Sequence, residues 1–199
     1  MKSFVLMKKA CYVLSTERLY LFILRPSAAS YVLDYLIANR EAHVPYNQLF
    51  SEDYFTVKTQ KAYLKYNLAR YQSADQFGFW FALKTDPDKI IGRLAFAAIV
   101  RGALQSCLVG YHLHHEFYGK GLMREALSEG CHYMFQCQKL HRIQADIMPR
   151  NTRSIKTAER CGFKREGMSR KYMAINGKWE DHYNFALINE NYSNSNILR

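Results

Sequence analysis

The chain has 199 residues, 49% of them hydrophobic and 23% charged, and a formal net charge of +11. That length suits one domain with a sizeable core, expected over residues 1–199 with its folded unit at about 16–192, and the composition excludes a disordered chain. No apolar run approaches the roughly 18 residues of a spanning helix. Lys8 and Lys9 interrupt the apolar patch behind Lys2 before it reaches signal-peptide length, so no membrane partner and a cytoplasmic location are expected.

The positive charge draws polyanions: a phosphate-bearing cofactor, a nucleic acid or a ribonucleoprotein surface. A generally basic, solvated surface is the plain alternative. The five cysteines, Cys11, Cys107, Cys131, Cys137 and Cys161, form no CxxC and are odd in number. They read as reduced thiols used mostly for packing.

In chain order, Leu19, Leu21 and Ile23 alternate with Tyr20 and Phe22, which predicts a first strand. Ser27 is placed to cap a helix over Ala28–Asn39, and a second helix is expected from Thr59 to Tyr71. Phe77–Leu83, Ile90–Val100 and Gln105–Leu113 read as three antiparallel strands, separated by turns at Asp86-Pro87-Asp88 and Arg101-Gly102. Phe77, Phe79, Trp80 and Phe81 fit core packing; base stacking is the alternative. Leu122, Met123, Ala126, Leu127, Cys131 and Met134 recur at helical spacing, so a helix is expected over Gly121–Gln136. Ile143, Ala145 and Ile147 mark a strand, and Asn151 is a good N-cap for a short helix to Arg160, with Gly162 just past its end. Asn176-Gly177 joins two strand-like runs, Glu166–Ile175 and Lys178–Ile188, as a hairpin. The fold class is α/β (α+β), with a mixed, mostly antiparallel sheet.

The segment Glu116–Met123, EFYGKGLM, connects a strand to a helix. Glycines at 119 and 121 leave backbone N–H groups open, the helix N-terminus adds partial positive charge, and Lys120 adds a full one. The arrangement suits a pyrophosphate, but GKG alone is a weak signal, and a tight turn before a helix is the plainer reading of it. It is neither a GxxxxGK[ST] nor a GxGxxG loop. His112, His114 and His115 lie close together, but no carboxylate or thiolate completes a metal set, so no metal is expected.

Ordered stretches across the chain resemble the GNAT superfamily of N-acetyltransferases, within it the RimJ/RimL type (ribosomal-protein-alanine N-acetyltransferases), and the RimJ branch above all. They are ERLYLFILRPS (17–27), IIGRLAF (90–96), LVGYHLHHEFYGKGLMREAL (108–127), HRIQADIMPRNTRS (141–154), ERCGFKREG (159–167) and NGKWEDHYNFAL (176–187). The resemblance implies a sheet splayed between its fourth and fifth strands, helices on both faces, and acetyl-CoA wedged in the gap. Its backbone contacts map onto Leu113 and onto Glu116, Phe117, Tyr118, Gly119, Lys120, Gly121 and Leu122. Asn151 and Ser154 match the Asn-x-x-Ser that lies near the pantetheine arm and the sulfur. Glu116 departs from the family's Gln or Arg, so its backbone, not its carboxylate, is expected to face phosphate.

The implied reaction is direct attack of an amine on the thioester. An α-amine of pKa about 7.8 is roughly one-seventh neutral at pH 7, whereas a lysine near 10.4 is neutral in about one part in 2,500. An N-terminal amine therefore needs little help from a base. By carry-over, Ser154 is the candidate general acid toward the thiolate; capping the Asn151 helix is its structural alternative. Asp146 is the candidate base, set against an ordinary exposed strand carboxylate. The glutamate base of the RimL branch has no counterpart, since Tyr172-Met173 stands there. Asp181 is the candidate for holding the substrate ammonium, or else for a hydrogen bond across the hairpin. Tyr172, Trp179 and Tyr183 are candidates to line the peptide cleft, or to pack across strands.

The expected activity is acetyl transfer from acetyl-CoA to the N-terminal amine of a ribosomal protein, with docking to RNA or the ribosome through the basic surface. The alternatives are acetylation of a small amine such as a polyamine or an antibiotic, and a nucleic-acid-binding regulator on the same scaffold.

Overall fold

The structure, a computed structural model, describes residues 4–192; residues 1–3, with Lys2, and 193–199 lie outside it. A short helix α1 (Val5–Lys8) leads into β1 (Ala10–Ser15) and β2 (Leu19–Leu24). Helices α2 (Ala29–Ala38), α3 (Arg40–His43) and α4 (Val57–Gln72) follow, then the meander β3 (Phe77–Leu83), β4 (Asp86–Val100) and β5 (Ser106–Leu113). After it come α5 (Leu122–Gln136), β6 (Arg142–Ile147), α6 (Thr152–Arg160) and the hairpin β7 (Lys164–Ile175) and β8 (Lys178–Ile188).

The sheet runs β1-β2-β3-β4-β5-β6-β8-β7. Every neighbouring pair is antiparallel except β5 and β6, which the α5 crossover makes parallel. Phe77, Phe79, Trp80 and Phe81 are all buried, because helices cover both faces of β3. On one face Phe79, Phe81, Leu94 and Phe96 pack against Ala126, Leu127 and Met134 of α5. On the other, Phe22, Leu24 and Trp80 pack against Val32 and Tyr35 of α2 and Leu64 of α4. This burial leaves no platform for base stacking.

Four local expectations change. Strand β1 precedes the expected first strand, so the fourth and fifth strands of the sequence reading are β5 and β6. Ser27 lies inside a 3-10 turn, Pro26–Ala28, and α2 starts from Ala28 with no side-chain cap, because the Pro26 turn already carries the chain into helical geometry. The turn before β4 is at Lys84-Thr85, and Asp86-Pro87-Asp88 is strand; there the Asp88 carboxylate accepts from Leu6 N–H at 2.9 Å. Cys107 and Cys131 are buried as packing thiols, but Cys137 is exposed.

The punctuation residues act as read. Asn151 Oδ1 accepts from Ser154 N–H at 3.2 Å, capping α6. Asn176 and Gly177 both have positive φ, 44° and 77°, the type I′ geometry that matches strand twist.

Gly92, on β4, lies under Phe81: a Cβ there would be 2.2 Å from Phe81 Cζ. Gly92→Ala is expected to lower stability by about 1–3 kcal/mol through overpacking, read as a lower urea midpoint at unchanged m-value.

Candidate active site

Strands β5 and β6 pair only over Ser106–Leu108 and Arg142–Gln144. Beyond that they part, and β6 continues with β8 alone as far as Ile147 paired with Tyr183. His114 N–H donates to Ile91 C=O on β4 at 2.7 Å. Strand alternation then turns the N–H and C=O groups of Val109, Tyr111 and Leu113 toward the gap. At its mouth the Leu113 carbonyl accepts from His43 Nε2 at 2.9 Å. The gap is thus a strand edge inside the sheet, and backbone groups of this kind demand partners.

At one end of the gap lies the 116–122 loop. Gly119 and Gly121 have φ of 76° and 74°, and Gly121 is the N-cap of α5. A Cβ built on Gly119 meets nothing within 4 Å. Among the described residues the N–H groups of Gly119, Lys120 and Gly121 have no acceptor, so an open anion cradle faces outward, and its shape and charge fit a pyrophosphate. Lys120 sits over the Phe117 ring at 4.9 Å and Arg153 over the Tyr118 ring at 4.1 Å, which brings two cations to the rim. The Glu116 carboxylate lies 3.6 Å from Lys89. Its N–H donates to His114 Nδ1 at 3.3 Å, so a phosphate there would have to share that donor.

Arg18 braces the loop from the β1–β2 turn. Its Nη1 donates to Lys120 C=O at 3.1 Å and its Nε pairs with Glu125 at 2.7 Å. Burial opposes the Glu125 carboxylate, but bonds from Thr16 and Arg18 outweigh it and lower its pKa.

Ser154 and Asp146 flank the gap from opposite faces. On the α5/α6 face, Ser154 Oγ donates to Tyr111 Oη at 2.9 Å, and Tyr111 Oη donates to Ser154 C=O at 3.0 Å. Tyr111 therefore spans from β5 to α6. The sequence reading missed it, because only the tertiary fold brings the two together. Burial raises the Tyr111 pKa, so the phenol keeps its proton.

On the α2/α4 face, Asp146 Oδ1 accepts from Gln144 Nε2 at 2.9 Å and from Asn184 Nδ2 at 2.8 Å. Tyr172 faces it, its pKa raised by burial and then by the Asp146 charge. Alternation along β8 sends Glu180, His182 and Asn184 to this face and Trp179, Asp181 and Tyr183 to the other. The structure therefore separates the predicted substrate residues. Asp181 accepts from Lys171 N–H at 2.7 Å and closes the β7 bulge. Tyr183 carries Arg165 on its ring at 4.5 Å, and Trp179 is 67% exposed at the hairpin.

The α2/α4 face also holds a trough. Gly78, Ala95 and Gly110 are paired across β3, β4 and β5, beside a second row of Trp80, Arg93 and His112. A Cβ on Gly110 meets nothing within 4 Å, so the face is open beside the gap. Along the second row lies a cavity of about 290 Å³, lined by Tyr54, Gln60, Tyr63, Asn67 and Arg93 among others and by no carboxylate.

The loop after α3 closes over this face onto the hairpin tip. Asn47 C=O accepts from Asn176 N–H at 2.8 Å. Arg150 donates to Pro45 C=O at 3.0 Å and pairs with Glu180 at 2.6 Å.

Together these features are those of an acyltransferase site: an open anion cradle at a helix N-terminus, a strand edge opened by the parting of two parallel strands, and an open trough beside it. The family model described as "Acetyltransferase (GNAT) domain" matches residues 18–164, and the chain belongs to that family. It is 38% identical over 151 residues to the probable N-acetyltransferase YjcK of Bacillus subtilis, covering 76% of this chain and 83% of that one. It is 35% identical over 178 residues to the [ribosomal protein uS5]-alanine N-acetyltransferase of Escherichia coli, covering 87% and 89%. The crystal structure of the ribosomal-protein-S5-alanine acetyltransferase from Vibrio fischeri superposes with a TM-score of 0.86 at 33% identity, covering 92% and 99%. The protein is a GNAT-type, acetyl-CoA-dependent N-acetyltransferase with RimJ/RimL-like relatives.

Two histidines under this face give stability a pH dependence. Burial, then the charges of His43 and Arg93, hold His112 well below its ordinary pKa, and its Nδ1 shares a hydrogen bond with Tyr35 Oη at 2.7 Å. Burial likewise lowers His43. The unfolded chain binds protons near pH 6.5 that the folded chain refuses, so this stability is present above about 6.5 and lost as pH falls. At pH 5.5 the expected loss is about 1.4 kcal/mol for His112 alone. It is measured as a fall in Tm from pH 7.5 to 5.5 that His112→Gln diminishes.

Proposed function

We propose that the enzyme transfers the acetyl group of acetyl-CoA to the N-terminal α-amine of a protein, with a ribosomal protein as acceptor, through one acetyltransferase domain that occupies the chain. The observation that carries this reading is the closure of the acceptor face: the Pro45–Asn47 loop is fastened to the hairpin by Asn176 and Arg150, so a chain end enters where a folded surface does not. The names of the relatives at 35% and 33% identity support the same acceptor class. A net charge of +11 supports docking to an RNA-rich particle. The polyamine alternative lacks support, since the acceptor cavity contains Arg93 and no carboxylate.

In this reading the loop N–H groups, Lys120 and Arg153 hold the pyrophosphate. The edge of β5 at Val109–Leu113 pairs with the pantetheine amides as a further strand would. The N-terminal amine enters along the Gly110 trough and attacks the thioester carbonyl. Asp146, held by Gln144 and Asn184, accepts the amine proton from the α2/α4 face. Ser154 delivers a proton to the departing thiolate from the opposite face, with its hydroxyl aligned by Tyr111. Tyr172, beside Asp146, contacts the acceptor backbone, while Asp181 serves the β7 bulge.

Ser154→Ala is expected to lower kcat about a hundredfold. Asp146→Asn should lower kcat/KM about tenfold at pH 7 and less at pH 9, where the α-amine loses its proton unaided. Wild-type kcat in both variants removes both roles. Gly110→Leu fills the trough, so the KM for an Ala-initiated peptide should rise at least tenfold while the Kd for acetyl-CoA holds. Mass spectrometry of ribosomal proteins from cells with and without the gene tests the acceptor: unchanged N-terminal acetylation rules it out.

A further inference from the structure

Arg93 takes no part in the acetyl-transfer steps above, yet it lines the acceptor cavity. On the sheet it sits between Trp80 and His112. Its guanidinium lies 5.3 Å from the centre of the Trp80 ring. Gly78 makes room for it: a Cβ at that position would be 3.4 Å from Nη2. Its Nε is buried without a hydrogen-bond partner, and among the described residues no carboxylate pairs with it.

Arg93 is half-buried, and a cation with its Nε cut off from water and no counter-charge beside it is unfavourable unless a ligand supplies one. The cavity cannot supply it, because no carboxylate lines it and His112 is held neutral. One guanidinium among amides and phenols balances one negative charge. A carboxylate carries one; a phosphate monoester carries nearly two near pH 7. The planar fork of arginine also matches a carboxylate in a bidentate pair. A volume of about 290 Å³ is at the lower end of ligand pockets, roughly 300–1,000 Å³, and suits one or two side chains of an extended segment.

We propose that Arg93 is a specificity-determining residue of the acceptor cavity, binding the carboxylate of an acidic side chain that the acceptor carries within a few residues of the reacting amine. This rests on the amino-terminal acceptor reading above. Gln60 Nε2 donates to Tyr54 C=O and Gln76 Nε2 to Asn67 Oδ1, so these amides are held in place around the cavity, and the Nδ2 of Asn67 is the neutral donor left to assist Arg93.

The test uses the full-length enzyme, acetyl-CoA and Ala-initiated peptides that differ only in carrying Glu, Gln or Lys at the second, third or fourth position. The expected result is a preference in kcat/KM for Glu over Gln of at least about tenfold at one of these positions, with Lys poorer than Gln. In Arg93→Gln the Glu-to-Gln ratio falls to about one, and Arg93→Lys keeps part of it. Equal rates for Glu and Gln peptides at all three positions, or a preference that survives Arg93→Gln, overturns the proposal.

A second measurement does not depend on turnover. N-acetylated Ala-initiated tetrapeptide amides carrying Glu at the second, third or fourth position, their Gln counterparts and inorganic phosphate are each titrated against wild type and Arg93→Gln, with thermal stabilisation as the readout. Saturable stabilisation of wild type by a Glu compound and not by its Gln counterpart, lost in Arg93→Gln, supports the carboxylate site. No difference between the Glu and Gln compounds at any position, or tighter binding of phosphate, overturns it. If no peptide is acetylated while a Glu compound still binds through Arg93, the amino-terminal reading falls and the carboxylate site stands.

Discussion

Past Leu108, β5 has a strand on one side only. That single loss of pairing organises the molecule. A parallel neighbour requires a crossover, and the crossover is α5, whose N-terminus therefore arrives at the end of β5 next to the opened edge. The anion cradle and the strand edge are thus two consequences of one topology. The gap stays open because its walls are braced rather than paired: Tyr111 bonds to Ser154 on α6, and His43 bonds to the Leu113 carbonyl. Closing it would trade those bonds for β5–β6 ladder bonds.

Charge placement follows the same division. Where charge serves the scaffold, it is partnered: Arg18 with Glu125, Arg142 with Glu166, Arg150 with Glu180. Beside the trough and at the loop it lacks an ionic partner, as with Arg93 in the cavity over β4 and the N–H groups of the 119–121 loop among the described residues. Exposed ion pairs contribute little to stability, so the paired set acts chiefly by position. Arg18 holds the loop carbonyl of Lys120, and Arg150 holds the loop after α3 over the α2/α4 face.

Local signals carried much of the fold and part of the site. The Asn151 cap, the Asn176-Gly177 turn and the helical period of 122–136 depend on residues within one turn of each other, so they were legible. The glycines at 119 and 121 have the positive φ that a phosphate loop requires. Strand β1 was missed because Ala10–Ser15 is half-buried at a sheet edge and has weak alternation. Ser27 was misplaced as a cap because Pro26, immediately before it, starts the turn. On the hairpin, Asp181 as ammonium holder and Tyr172, Trp179 and Tyr183 as cleft lining were all assigned to one acceptor site. The Lys171 bulge shifts the register between Ser169 and Met173, and it places Tyr172 on the face of Asp146 and His182 while β8 alternation puts the other three opposite.

The sequence by itself determined the strand–loop–helix order around EFYGKGLM, the family, and hence the reaction class, because these rest on contiguous residues with fixed local geometry. Only the tertiary structure decided what surrounds the reacting group. Tyr111 reaches Ser154 across 43 residues, Arg18 reaches Lys120 across 102, and Arg150 reaches Pro45 across 105. Contacts between residues so far apart leave no period or spacing in the chain. They exist because the sheet order sets β5 beside β6 and the hairpin beneath the loop after α3, and that order comes from burying both faces of β3 at once.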